Sequence, residues 1–407
     1  MTQGGYQVQR ISRKDQNLLD CRWHIPFLGA LVTFFSSSLY RVSGLLFVNI
    51  MQEFDVNREA ASWPINMIST GFDTGGLVFG LVSQWLSLVQ TAFVGALLTS
   101  LGAITSVLVA NIWWMTFTLG LLHGIGSGMV TICAQVLVSQ NFMVYRGVAH
   151  GIVNSGPDVS TIIISSIMVF LIRRYSFRAS LFILGGTLLN LIPLSALLKH
   201  RWTVPQTNHS ENKNPDGLKA IAGTSSTGPK SYGTLKKPAS TVDPKPSLLG
   251  TVAELLRTPA FYVLFVTWLV MFLNQDVILT TVVDFAEDIG VSRPKGASLL
   301  SYFSITDLLG RLLIPLIADK ELVRRCTLSA VNMLVAGLLV TALASVGTYV
   351  TLVIVTLPMA AALGSSQSMF GVLLADYIGL ERLSVGYGLC SVIGTPILLL
   401  KPLLIGE

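Results

Sequence analysis

Charge is scarce in this sequence. Only 12% of its 407 residues are Asp, Glu, Lys or Arg, against about a quarter in an ordinary soluble domain. That is too little charge to cover a water-facing surface, which excludes a soluble globular fold, and the composition equally excludes disorder and a collagen-like repeat. There are four cysteines, Cys21, Cys133, Cys326 and Cys390. None is spaced for a disulfide framework or a metal site, so no metal and no cofactor is expected. Chemistry-bearing motifs are missing too. No nucleophile stands with a base, and Gly124-Ile-Gly126-Ser-Gly128 lies in an apolar stretch with no strand before it, so it is not a dinucleotide loop. An enzyme is not expected. The first 24 residues lack the apolar core of a signal peptide.

Apolar residues are abundant. Hydrophobic residues make up 52% of the chain and the mean hydropathy is +0.66, the profile of an all-α polytopic membrane protein. A spanning helix takes roughly 20 residues. Eleven apolar stretches fit, near 25–50, 62–86, 91–110, 112–138, 147–171, 177–198, 258–283, 296–317, 327–347, 350–375 and 383–405. They predict a cytoplasmic tail over 1–24, a six-helix bundle over 25–198, a disordered linker over 199–257 rich in Ser, Thr, Pro, Gly and Lys, and a five-helix bundle over 258–407. With a cytoplasmic N-terminus, 18 Lys and Arg fall inside and 6 outside. Setting aside the long linker, the balance of nine to six keeps the same orientation. The net charge of +6 is therefore a topology signal, and no nucleic acid partner is expected. The sequon at Asn208 falls in the linker and is expected to be unused.

An ionisable group in the hydrocarbon core costs about 2.5–3.5 kcal/mol on insertion scales. The few inside these stretches are therefore candidates for a site: Arg41, Asp73, Asp158, Asp276, Asp307 and Arg311. Asp307 and Arg311 are four residues apart, so a helix presents both on one face. The arginine can fork onto a carboxylate, and the aspartate can take a proton when a substrate anion competes for that arginine. The competing reading is a buried ion pair that only fixes packing. Arg41 lies late in the first stretch and either lines a site or snorkels to the outer surface. Asp73 sits between Gly71 and Gly75, with site, helix contact and proton relay all open. Asp158 follows Pro157 and suits a relay or a partner for a facing arginine. Asn274, Gln275 and Asp276 form a polar break in the seventh stretch, the kind that lines a cavity. His150 is expected near the membrane interface. The glycines of the second and fourth stretches are read as helix-packing positions.

Two helical halves joined by a cytoplasmic linker are the layout of the major facilitator superfamily. The motifs are more specific. Thr281 to Ser292, Leu299 to Ser301 and Asp307 to Arg311 resemble the span seven to eight region of the monocarboxylate transporter family. Phe142 to Gly156 resembles that family's entry to span five, Phe177 to Asn190 its span six, and Asp376 to Ser384 the loop before its span eleven. The resemblance implies a proton-linked symporter of small monocarboxylates such as lactate and pyruvate, at the plasma membrane, working by alternating access. On its pattern Arg311 binds the substrate carboxylate, Asp307 is the coupling proton site, and Arg41 falls near a substrate-binding lysine of span one. Some family members use a single-span immunoglobulin-like escort protein. Several departures mark a divergent member: the basic run before span five is reduced to Arg146, and Asp158 puts a charge where the family is apolar. Two rival readings are a facilitative carrier of a neutral or zwitterionic solute and a transport-inactive scaffold. Against that family the twelfth span is missing, and a truncated chain or short isoform is expected.

Overall fold

The computed structural model of the chain describes residues 22–198 and 248–398. Among them there is no strand. In chain order the helices are α1 (His24–Ser36), α2 (Ser38–Arg41), α3 (Ser43–Phe54), α4 (Arg58–Val82), α5 (Leu88–Ser106), α6 (Ile112–Asn141) and α7 (Arg146–Arg174). They continue as α8 (Phe177–Leu197), α9 (Leu248–Arg257), α10 (Pro259–Asp288), α11 (Arg293–Leu313), α12 (Pro315–Asp319), α13 (Arg325–Leu343), α14 (Tyr349–Ile378) and α15 (Leu383–Leu398).

Eight helices are long and apolar enough to cross a membrane, or nine if the bent pair Leu249–Arg257 and Pro259–Gln275 is one span. The shorter apolar helices His24–Ser36 and Leu383–Gly394 occupy the places of the first and eleventh expected spans. Their ends follow local chemistry. The Asn57 side chain accepts from Ala60 N at 2.8 Å to start α4, and reciprocal capping boxes at Ser87/Gln90 and Thr348/Thr351 start α5 and α14. Large apolar side chains such as Leu108, Phe170, Leu338 and Ile354 are exposed on the outside of the bundle, the surface a lipid solvent requires. Trp63 and Trp113 pack together, ring centroids 6.4 Å apart, and with the exposed Trp114 make an aromatic cluster of the kind found at membrane–water interfaces.

Three expectations are corrected. The first span is broken into α1, α2 and α3 at the Ser36-Ser37-Ser38 run, whose hydroxyls compete for the Thr33 carbonyl and reach across to α6. Ser37 Oγ donates to Thr33 O at 2.5 Å, and Ser36 Oγ pairs with Thr131 Oγ1 at 3.0 Å. The linker stops short of Arg257. α9 lies at 86° to α10, with Leu255 buried and Glu254 paired to Arg382 at 2.6 Å. The polar triplet Asn274-Gln275-Asp276 does not break the seventh span, since α10 runs unbroken through it. The Asn274 amide donates to Val270 O at 2.9 Å, one turn back in its own helix.

The two halves meet along α7 with α11 and α14, and along α4 with α15. Within the first half, glycines set the close crossing of α4 and α6. A Cβ on Gly71 would stand 3.0 Å from the Gly124 Cα, and one on Gly75 would stand 2.9 Å from the Gly128 Cα, so α4 and α6 touch backbone to backbone. At one end of the bundle the halves are locked by charge. Arg146 at the start of α7 holds Asp376 Oδ1 at 2.6 Å, and Arg325 holds Asp376 Oδ2 at 3.0 Å. Asp319, at the end of α12, accepts from the backbone N–H of Gly147 at 3.2 Å and Val148 at 2.8 Å, an anion at the positive end of a helix.

Candidate functional site

Arg311 is the centre of the site. It is 2% exposed, and three of its nitrogens are engaged by three groups. Its Nε and Nη2 donate to Asp307 Oδ2 at 2.9 and 2.6 Å. Its Nη1 crosses to the other half of the molecule and donates to the Asn154 carbonyl of α7 at 2.9 Å. Asp158, one turn further along α7, brings Oδ2 to 3.1 Å from Arg311 Nε. Its Oδ1 lies 3.4 Å from Arg41 Nη2. The result is a run of alternating charge, Arg41–Asp158–Arg311–Asp307, with both carboxylates almost fully buried and Arg41 still 23% exposed.

Local irregularities put these side chains together. Pro157 has no N–H for the Val153 carbonyl four residues back. Thr33 of α1 takes that carbonyl instead, its hydroxyl donating at 2.7 Å. Gly156 leaves room for this, since a Cβ there would strike the Ala30 and Thr33 region of α1. The break before α2 then turns Arg41 toward α7. On the other side Pro315 has no N–H for the Arg311 carbonyl, and Gly151 of α7 lies directly against that carbonyl. Gly364 of α14 closes the far wall, where any Cβ would strike Asp307 and the Arg311 stem.

Such a cluster carries no net formal charge with both acids ionised. Three of its buried polar atoms, Asp158 Oδ2, Asp307 Oδ1 and Arg41 Nε, have no hydrogen-bond partner among the described residues. Buried polar groups are nearly always paired, so such atoms mark places where a ligand or proton can bind.

The sequence candidates separate accordingly. Arg41, Asp158, Asp307 and Arg311 are brought together. Asp73 is half-buried on α4 beside Phe72, whose ring stacks 5.5 Å from that of Tyr40. Asn274 is bonded within its own helix, and the side chain of Asp276 lies outside the described residues. His150 is not at an interface. It is fully buried, with Nε2 2.8 Å from Ser139 Oγ and Nδ1 2.6 Å from Gln135 Oε1. Sequence reasoning passed over Gln135, Asn154, Asp319 and Asp376. For Asn154 the signal was the four-residue spacing of polar groups along α7 (146, 150, 154, 158), which reads as one helix face; the other three lie on α6, α12 and α14, and no local spacing points to them.

A family model described as Major Facilitator Superfamily matches residues 27–397. The chain belongs to that superfamily. Zebrafish (Danio rerio) monocarboxylate transporter 12-B is 26% identical over 372 residues, covering 90% of this chain and 76% of that protein. Human monocarboxylate transporter 12 is 27% identical over 320 residues, covering 76% of this chain and 60% of that one. Within the superfamily the chain is thus similar to monocarboxylate transporters, in line with its motifs. Two solved structures share the fold. The E. coli fucose:proton symporter superposes with a TM-score of 0.64 at 15% identity, covering 92% of this chain and 90% of that one. An outward-facing bacterial homologue of the iron transporter ferroportin gives 0.65 at 12% identity, covering 94% and 91%. As a major facilitator the protein is an integral membrane transporter and not an enzyme.

Proposed function

We propose that this major facilitator carries a small monocarboxylate or related organic anion together with a proton, by alternating access. The observation that carries the reading is the Arg311 guanidinium held between Asp307 of its own half and Asp158 of the other. An incoming carboxylate competes with those acids for the same planar fork. A proton on Asp307 removes one competitor and keeps the buried charge balanced, which couples the two movements. Arg41, the exposed member of the cluster, meets the anion first and passes it inward. The name shared by the curated relatives supports a monocarboxylate. With the N-terminus cytoplasmic and the protein in the plasma membrane, the end locked by Arg146, Asp376 and Arg325 faces the cytoplasm.

The test is uptake of labelled lactate and pyruvate into proteoliposomes, with the outside acid or at neutral pH. Wild-type uptake is expected to rise severalfold on acidification. Arg311→Ala is expected to fall to background, and Asp307→Asn to lose the pH response. Equal uptake by wild type and Arg311→Ala would overturn the reading.

One observation favours a second reading. Asp158 makes the cluster charge-neutral, so a zwitterion with its own cation fits it without any proton. A facilitative carrier of that kind would show uptake of an aromatic amino acid that ignores pH and survives Asp307→Asn.

A further inference from the structure

α7 carries Arg146, His150, Asn154 and Asp158 at intervals of four, so they form one stripe about 18 Å long. Its first member is in the charge lock at the closed end, and its last is in the buried cluster. α6 supplies two more polar groups facing it, Gln135 and Ser139, again four residues apart. Together they form a hydrogen-bonded track that passes through the residues Ser139 and Asn154 from side chain to backbone carbonyl. Arg146 Nη1 holds Asp376 Oδ1 and its Nη2 donates to Ser139 O at 3.0 Å. Ser139 Oγ meets His150 Nε2 at 2.8 Å, and His150 Nδ1 meets Gln135 Oε1 at 2.6 Å. Gln135 Nε2 donates to Asn154 Oδ1, and the Asn154 carbonyl receives Arg311 Nη1 at 2.9 Å.

The donor inventory fixes the direction of this track. Gln135 gives its amide N–H to Asn154, so its Oε1 can only accept, and His150 Nδ1 must carry a proton. In the neutral imidazole Nε2 is then an acceptor, and the Ser139 hydroxyl donates to it. Every side-chain bond from Ser139 to Asn154 therefore points the same way, toward the Arg311 site, and such aligned bonds strengthen one another. His150 and Gln135 each accept on one side and donate on the other. His150 also lies at the seam between the halves: a Cβ on Gly371 of α14 would strike the His150 ring and the Tyr387 hydroxyl of α15.

We infer that His150 is a positioning residue that couples the buried Arg311 site to the charge lock at the closed end. It acts through its two neighbours. Through Gln135 it holds Asn154, whose carbonyl takes Arg311. Through Ser139 it holds the carbonyl that takes Arg146. When Arg311 turns from α7 toward a bound anion, the Asn154 contact is released and the strain passes along the track to Arg146 and Asp376. The inference rests on alternating access in this bundle and is independent of which solute is carried.

The test is a double-mutant cycle read at the lock, with no substrate needed. The reporter is Met369→Cys in the full chain with its four natural cysteines replaced. Met369 is fully buried, and its methyl lies against Gly147 between α14 and α7, so a thiol there reacts only when the closed end opens. The measurement is the labelling rate by a hydrophilic maleimide in nanodiscs, where both faces are reachable. Arg311→Gln and His150→Leu are each expected to speed labelling about fivefold or more. The two together are expected to do no more than either alone. His150→Gln, which keeps one donor and one acceptor, is expected to restore the wild-type rate and the response to Arg311→Gln. Effects that multiply, an Arg311→Gln variant with no effect, or equal behaviour of the Leu and Gln variants at 150 would overturn the inference. If His150→Leu does not yield monodisperse protein, Ser139→Ala and Gln135→Leu cut the same track and carry the same expectations. Because the readout is solute-free, failed uptake of every monocarboxylate leaves this result standing on its own.

Discussion

Replacing Arg311 with leucine is expected to destabilise the purified protein by about 3–5 kcal/mol, the cost of breaking a buried ion pair from one side. The leucine fills most of the space, so the loss is electrostatic. Asp307 and Asp158, 2% and 5% exposed, would be left without the guanidinium that lies 2.6 and 3.1 Å from them. Arg41 cannot compensate both, since it reaches only the far oxygen of Asp158 at 3.4 Å. Adding Asp158→Asn and Asp307→Asn to Arg311→Leu is expected to recover most of the lost stability, because neutral amides are far cheaper to bury than unpaired charges. The triple variant is still expected to show no uptake of an organic anion. Thermal unfolding in detergent, followed by loss of the monomer peak, measures the first effect, and proteoliposome uptake the second. An Arg311→Leu protein as stable as wild type would mean that the acids are not held as charges by this arginine.

The second large effect is expected at Gly388. α4 and α15 cross at the locked end with no side chain between them. A Cβ on Gly76 would be 3.1 Å from the Gly388 Cα, and one on Gly388 would strike the backbone of Leu77. Valine at 388 therefore cannot be absorbed by a rotamer change. The helices must separate, and the neighbouring pairs Arg146–Asp376 and Arg382–Glu254 stretch with them. Overpacking of this kind costs about 1–3 kcal/mol, and here it falls on one conformational state only. Gly388→Val is expected to leave the protein folded, to raise maleimide labelling at Met369→Cys, and to lower net uptake about tenfold by removing the state closed at this end. Gly337→Val is the control. A Cβ on Gly337 meets nothing within 4 Å, and α13 presents that position outward, so neither readout should move. Equal labelling in both variants would show that the α4–α15 crossing is not what closes this end.

Partition into lipid is a local property, and it was legible in the sequence. A helix that spans a membrane satisfies its own backbone and needs only a long apolar run. Each of the eleven apolar stretches has a helix or helix group in its place. The Asp307–Arg311 pair was legible for the same reason, because partners four residues apart on one helix meet wherever that helix lies. The charge-poor composition and the family motifs pointed to a facilitator bundle, and the superfamily match over 27–397 agrees.

The rest was decided between helices. Nothing in the apolar pattern says that Ser37 and Val42 interrupt the first span and turn Arg41 onto Asp158. Nor does it say that Thr33 takes the carbonyl Pro157 leaves open, or that Asp158 reaches across to Arg311. His150 looked like an interfacial residue because it lies near a helix end. Its burial comes from α6, the preceding helix, and from α14, more than 200 residues on, packed around it. The sequence by itself determined which segments enter the membrane and which charges must be accounted for there. Only the tertiary structure decided how those charges are balanced, because in a medium without water each buried charge takes its partner from whichever helix brings one within about 3 Å.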